Sequence, residues 1–315
     1  MEKELLELLR DKQPEVFPNS KLDQNDSSFP TKHPRLTEIS FYPESSPLRV
    51  ERTESTNLRD DINISQLFSE RKGKTARFVA ILGEAGAGKS TMSARLCESA
   101  DKYTLHLRCT QMNYGSLELK MKEILLQHNY NLGESKANEY FAWMDANQHR
   151  CRIVLDGYDQ AIWKNCQLPP KISHEAEGKV EDVIGNLLQG HLLPNVQLVV
   201  TSRPHAMMSL PVELRPDRVV MLNGFSQQDA KELFVYFVGI DGEQKWCALE
   251  ALSPNLCLMC SNPAMLTYTA CLLRARDEVP LLQTITSVVR VLLQSFTKSS
   301  TEIEDLQAMK LTKKN

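Results

Sequence analysis

Gly83-Glu84-Ala85-Gly86-Ala87-Gly88-Lys89-Ser90 follows directly on the apolar run Arg77-Phe78-Val79-Ala80-Ile81-Leu82 and runs into a helical pattern over Thr91–Ser99. The spacing is G-x-x-x-x-G-K-[ST], the phosphate-binding loop of a nucleoside triphosphate site. Glycines let the backbone curl so that successive N–H groups point inward at phosphate oxygens. A helix starting near Lys89 adds the positive end of its dipole. An ammonium at Lys89 reaches the outer phosphates, and a hydroxyl at Ser90 ligates Mg²⁺. A glycine turn arising by chance lacks this context of strand before and helix after.

Apolar runs recur at Tyr103–Leu107, Arg152–Leu155, Val196–Thr201 and Arg218–Leu222, mostly with helical patterns between them. Such alternation predicts an α/β fold, a P-loop NTPase three-layer sandwich around a central, mainly parallel sheet. Upstream, residues 1–12 allow a short helix, and 13–60 collect Pro, Ser, Asn, Asp and Glu. Together they read as a flexible polar extension over 1–60. Ile64, Leu67 and Phe68 suggest a short amphipathic turn. Downstream, Ser226 and Asp229 form a capping box. Ala230, Leu233, Phe234, Phe237 and Val238 then share a helical face, as do Ile285, Val288, Val289, Leu292, Leu293 and Phe296. The predicted organisation is therefore a nucleotide domain over 61–224, a small all-α subdomain over 225–298 and a frayed tail over 299–315.

Two further strand ends carry chemistry. Arg152-Ile153-Val154-Leu155 ends in Asp156, placed to hold Mg²⁺ through water. Gly157 leaves room beside it, and Asp159 is placed to orient or deprotonate a water. Gln160 stands where hydrolytic versions of this motif often carry Glu, which suggests slow turnover. Val196–Thr201 ends in Ser202-Arg203-Pro204, and an arginine at that tip can reach a terminal phosphate. Open α/β sheets bind ligands along this edge. Arg215 and Arg218 read as solvated flanks, so nothing marks the arginine-bearing lid of a small-molecule kinase.

A net charge of -3 gives no reason to expect nucleic acid as a partner. No apolar run reaches the roughly 20 residues of a membrane span, and the charged N-terminus lacks a signal-peptide pattern, so a cytoplasmic protein is expected. Under reducing conditions Cys97, Cys109, Cys151 and Cys271 read as buried apolar residues, and Cys257-x-x-Cys260 as core packing before zinc.

Several segments together resemble the NACHT family of signal-transduction ATPases, the nucleotide module of NOD-like receptors. These are Gln66-Leu67-Phe68, GEAGAGKST at 83–91, LDGYDQ at 155–160, TSRP at 201–204, NGFS at 223–226 and Asn262-Pro263, across about residues 62–298. The resemblance implies a switch in which ADP holds a closed monomer and ATP permits assembly with itself or other NACHT proteins. It also implies Thr91 in the phosphate loop, Arg203 as sensor and Pro263 near the adenine. Such receptors continue into a winged helix and repeats. The chain ends at Asn315, before either, and so reads as a fragment or a form reduced to the switch module. Two function classes lead, a slow Mg²⁺-dependent ATPase switch and a nucleotide-binding interaction protein without useful turnover, and a P-loop small-molecule kinase is the less favoured third.

Overall fold

The computed structural model describes residues 2–11, 34–39, 64–70, 73, 75–98, 101–274 and 290. The chain divides into two units, one running to Asn223 and the other from Gly224.

The first unit is built on a six-stranded sheet ordered β1-β6-β2-β5-β4-β3. Its strands are β1 (Leu36–Glu38), β2 (Phe78–Leu82), β3 (Tyr103–Arg108), β4 (Cys151–Asp156), β5 (Gln197–Ser202) and β6 (Arg218–Leu222). Strands β2 to β6 run parallel, and β1 joins β6 antiparallel with Leu36 opposite Leu222. Every residue of β2 and β4 is buried. Both faces of the sheet are covered, which is why these strands read as continuous apolar runs.

Side chains alternate between two cores. One face carries Phe78, Ala80, Leu82, Leu105, Leu107, Ile153, Leu155, Leu198 and Val200. It packs on α1 (Glu2–Asp11), a π-helical turn at Glu123–His128, α3 (Glu134–Ala146), α4 (Val180–Gln189) and α5 (Pro204–Met208). The other face carries Val79, Ile81, Val154, Val199 and Val220 beneath α2 (Lys89–Glu98), with Met92, Leu96 and Leu67. Helices on both sides of a mainly parallel sheet make the three-layer P-loop architecture.

The short helix allowed within 1–12 is present, but its buried face and a strand further on go beyond the reading of 1–60 as a flexible extension. Residues 2–11 form a helix whose Leu5 and Leu9 are buried, and residues 36–38 form the strand that pairs with β6. Glu2 fastens that helix: its carboxylate accepts from Arg150 Nη1 and Nη2 at 3.0 and 3.1 Å. It also accepts from Tyr103 Oη at 3.2 Å and Trp143 Nε1 at 3.3 Å. Arg218 is likewise no solvated flank. Its buried guanidinium donates to the carbonyls of Gln66, Leu67 and Ser69 and pairs with Glu38, tying the turn at 64–69 to β6.

The second unit is helical, with α6 (Gln227–Val238), α7 (Gly242–Leu252), α8 (Pro254–Met259) and α9 (Pro263–Arg274). Ala230, Leu233, Phe234 and Val238 meet Trp246, Leu249, Leu266 and Ala270 in one core. Ser226 caps α6, its Oγ accepting from the Asp229 N–H at 3.1 Å. Asn262 caps α9, its Oδ1 accepting from the N–H groups of Ala264 and Met265, and Pro263 takes the first helical position. Gly224 has φ +81, and a Cβ there would collide with the Ser261 carbonyl oxygen. Cys257 and Cys260 lie in this core, where burial pushes their thiols up to about 11 and about 12. Cys271, expected inside, is exposed on α9. The apolar stripe from Ile285 to Phe296 and the tail over 299–315 lie outside the described residues.

Candidate functional site

The loop over 83–90 joins β2 to α2 at the carboxyl edge of the sheet. Gly86 and Gly88 have φ of 76 and 95, left-handed values that favour glycine. A Cβ on Gly83 would press on Ala87 Cβ at 3.2 Å and Leu222 Cβ at 3.3 Å, so the loop's first residue is fixed by close approach. The Gly83 N–H donates to the Ser202 carbonyl at 3.2 Å, joining the loop to the tip of β5. Lys89 folds over the loop and donates through Nζ to the carbonyls of Gly83 at 2.7 Å and Glu84 at 2.9 Å. Burial lowers the pKa of its ammonium, and Asp159 is the strongest influence holding the charge in place; Arg203 opposes it, while Asp156 and Glu84 support it. Lys89, Asp156, Asp159 and Arg203, drawn from three separate stretches of the chain, therefore share one electrostatic site.

Asp156 ends β4 and is buried. Its Oδ1 accepts from Thr201 Oγ1 at 2.6 Å and from Ser93 Oγ at 3.1 Å. Thr201 Oγ1 also accepts from the Gly157 N–H at 2.9 Å. His106 lies on the same sheet face, with Nε2 at 3.8 Å from Asp156 Oδ2 and without a hydrogen-bond partner. Burial lowers the His106 pKa, against the pull of Asp156.

Gly157 adopts φ 75 and turns the chain into a 3-10 turn over Tyr158–Gln160. Tyr158 points inward, its hydroxyl donating to Asn165 Oδ1 at 2.9 Å, while Asn165 Nδ2 donates to the Glu181 carbonyl. This chain anchors the stretch after the acidic motif to α4. The Asp159 side chain is only 5% exposed and meets Arg203 twice. Oδ1 accepts from the Arg203 main-chain N–H at 3.2 Å, and Oδ2 faces Nε at 3.3 Å. Gln160 is exposed, with its side chain packed beside Gly157.

Fit to a triphosphate with Mg²⁺ rests on this donor set. The curled loop offers backbone N–H groups and an ammonium for phosphate. Ser90, exposed at the start of α2, and the carboxylate of Asp156 supply hard oxygens. One carboxylate and one hydroxyl suit Mg²⁺, which keeps several of its own waters.

The structure thus places the phosphate loop with Asp156, Asp159 and Arg203 in the first unit; Pro263 belongs to the second. Sequence reasoning missed Ser93, Thr201, His106 and the inward Tyr158. Three of these carried a signal. Ser93 lies one helical turn after Lys89, Thr201 precedes the Ser202-Arg203 tip, and His106 interrupts an apolar run.

A NACHT domain family model matches residues 77–239, just over half of the chain. Human Protein NLRC5 is 28% identical over 223 residues, covering 67% of this chain and 11% of the relative. Bovine nucleotide-binding oligomerization domain-containing protein 2 is 29% identical over 180 residues, covering 53% and 17%. Human NACHT, LRR and PYD domains-containing protein 12 is 25% identical over 195 residues, covering 55% and 17%. The chain spans less than a fifth of the length of each of these relatives. The phosphate loop, its acidic partner strand and the arginine-tipped strand between them are the parts that the matched segment encloses, and the chain belongs to the NACHT family, a nucleotide-binding module of the NOD-like-receptor type.

Proposed function

We propose that this chain is a switch module that binds ATP or ADP with Mg²⁺, hydrolyses ATP slowly, and thereby controls its association with itself or with other NACHT proteins in the cytoplasm. The observation that carries this reading is the convergence of Lys89, Asp156, Asp159 and Arg203 at one sheet edge, felt together at the Lys89 ammonium. In this reading the N–H groups of residues 83–91, Gly83-Glu84-Ala85-Gly86-Ala87-Gly88-Lys89-Ser90-Thr91, hold the phosphates. Ser90 and Asp156 hold Mg²⁺, which withdraws charge from the phosphate oxygens. Ser93 and Thr201 fix the Asp156 carboxylate. Asp159 orients water, Arg203 reads the terminal phosphate, and Pro263 contacts the adenine. The name of one relative, nucleotide-binding oligomerization domain-containing protein 2, couples nucleotide binding with oligomerization, which supports a link between the two here. Relatives of NOD-like-receptor type support a place in innate immune signalling.

The alternative is a module that binds nucleotide without cleaving it and regulates full-length receptors. It is favoured by Gln160 in place of a second acid and by the commitment of Asp159 to Arg203. Single-turnover release of phosphate from ATP separates the two. The switch reading expects slow release that Lys89→Ala abolishes, together with an assembly state that differs between ATP and ADP by native mass. Release equal to that of Lys89→Ala refutes the hydrolytic reading. An assembly state indifferent to nucleotide refutes the switch, because a ligand without differential affinity shifts no equilibrium.

A further inference from the structure

We propose that Asp159 and Arg203 form a latch that must open before the site distinguishes ATP from ADP, which makes Asp159 a positioning residue for the arginine as well as a partner of water. The inference rests on the nucleotide reading above and deepens it. The two partners differ in freedom. The Asp159 side chain is 5% exposed and set by the 3-10 turn, whereas the Arg203 side chain is 45% exposed at the tip of β5. The carboxylate is the fixed member, and the guanidinium is the one able to leave. It holds Arg203 through two bonds of different kinds. The bond from the main-chain N–H survives when the guanidinium swings away, and only the contact of Nε with Oδ2 is given up.

Charge decides what can open it. Withdrawing a cation from a buried carboxylate is costly unless another interaction replaces it. Two groups answer this need. Lys89, held over the loop by the Gly83 and Glu84 carbonyls, feels Asp159 as its strongest attraction, so positive charge remains in the acid's neighbourhood when Arg203 departs. Lys89 and Arg203 repel each other, and phosphate charge between two cations turns that repulsion into attraction. A triphosphate brings more charge and further acceptor oxygens than a diphosphate, so it competes better for the guanidinium. Part of the binding energy of ATP is therefore spent on opening the latch, a conformational cost that lowers its apparent affinity. The opened state also releases Asp159 Oδ2, so sensing the terminal phosphate and freeing the acid become one event.

The test uses the full chain with Mg²⁺, titrated to equilibrium with ADP and with the β,γ-imido analogue of ATP. Asp159→Asn keeps an acceptor for the Arg203 N–H but removes the charge that parks the guanidinium. It is expected to raise the preference for the triphosphate over ADP roughly tenfold, the scale of one charge-assisted hydrogen bond. Arg203→Ala is expected to bring the two affinities near parity, and the double variant to match Arg203→Ala. An unchanged preference in Asp159→Asn, with hydrolysis reduced, overturns the latch and leaves the acid acting on water alone. A double variant that stays above Arg203→Ala by the same factor overturns it too. Where Asp159→Asn does not fold, Asp159→Ser reads the same quantity with the same two outcomes. A wild-type chain that binds neither nucleotide better than Lys89→Ala refutes the nucleotide reading itself, and the latch with it, which sets that failure apart from the others.

Discussion

Thr201 shows how much one hydroxyl can organise. It donates to Asp156 and accepts from the Gly157 N–H, so it fixes both the carboxylate and the turn that leaves it. Thr201→Val keeps the shape and removes both bonds. A loss of about 1–3 kcal/mol in unfolding free energy is expected, read from urea titration. Asp156, Asp159 and Arg203 drew notice in sequence because they sit at or just past the carboxyl ends of two strands, where open sheets place ligands. The pairing of Asp159 with Arg203 was not legible. It joins residues 44 apart, and nothing local to either shows that the acid faces the arginine. Thr201 and His106 carried a signal, a polar residue inside an apolar run, but only alternation across the folded sheet shows that both lie on the face under α2.

Among the elements, the five parallel strands were readable as apolar runs because both sheet faces are buried. β1 was not, since three residues with one buried side chain leave no periodic trace, and the strand exists only through its register with β6. The docking of α1 was missed for a similar reason. Its amphipathic face has no visible target until Tyr103, Trp143 and Arg150 are brought together. Arg150, through its hydrogen bonds, pulls the Glu2 carboxyl below its ordinary value. A carboxyl lowered on folding contributes stability that is present above its unfolded value of 4.5 and lost as the pH falls through the lower folded one. Wild type is thus expected to lose protection of α1 against amide exchange on acidification below about 4.5. Glu2→Gln should have lost that acid-sensitive part already at neutral pH. Gly185, inside α4, has Pro169 Cγ at 2.8 Å and Asn165 Nδ2 at 2.9 Å from where a Cβ would stand. Gly185→Ala is expected to lower stability by about 1–3 kcal/mol, measured by thermal melting, as the 161–179 stretch is pushed off the helix.

At the scale of the whole molecule, the chain is two units with separate cores. Gly224, Phe225 and Ser226 of the motif NGFS belong to the second. Gly224 combines a left-handed φ with the Ser261 backbone where a Cβ would go, while the Phe225 N–H donates to the Ser261 carbonyl at 2.8 Å. Gly224→Ala should destabilise that unit by about 3 kcal/mol, from strain and overpacking together. Differential scanning calorimetry would show it as an early transition of the helical unit, with the transition of the sheet unit retained. In Asn262-Pro263, whose proline the resemblance put near the adenine, the two residues have a local duty as cap and first residue of α9.

The segments before the phosphate loop have a practical meaning. β1 lies along β6, and α1 packs on β3, the strand at the opposite margin of the sheet. Shortening the chain to begin at Phe78 would keep every nucleotide motif yet strip both coverings, leaving unpaired backbone along Val219–Leu222 and bare apolar surface beside Leu105 and Leu107. Uncovered strands of that kind recruit other chains and drive aggregation. The boundary that a family match draws around the motifs is therefore not the boundary of a piece that stays in solution.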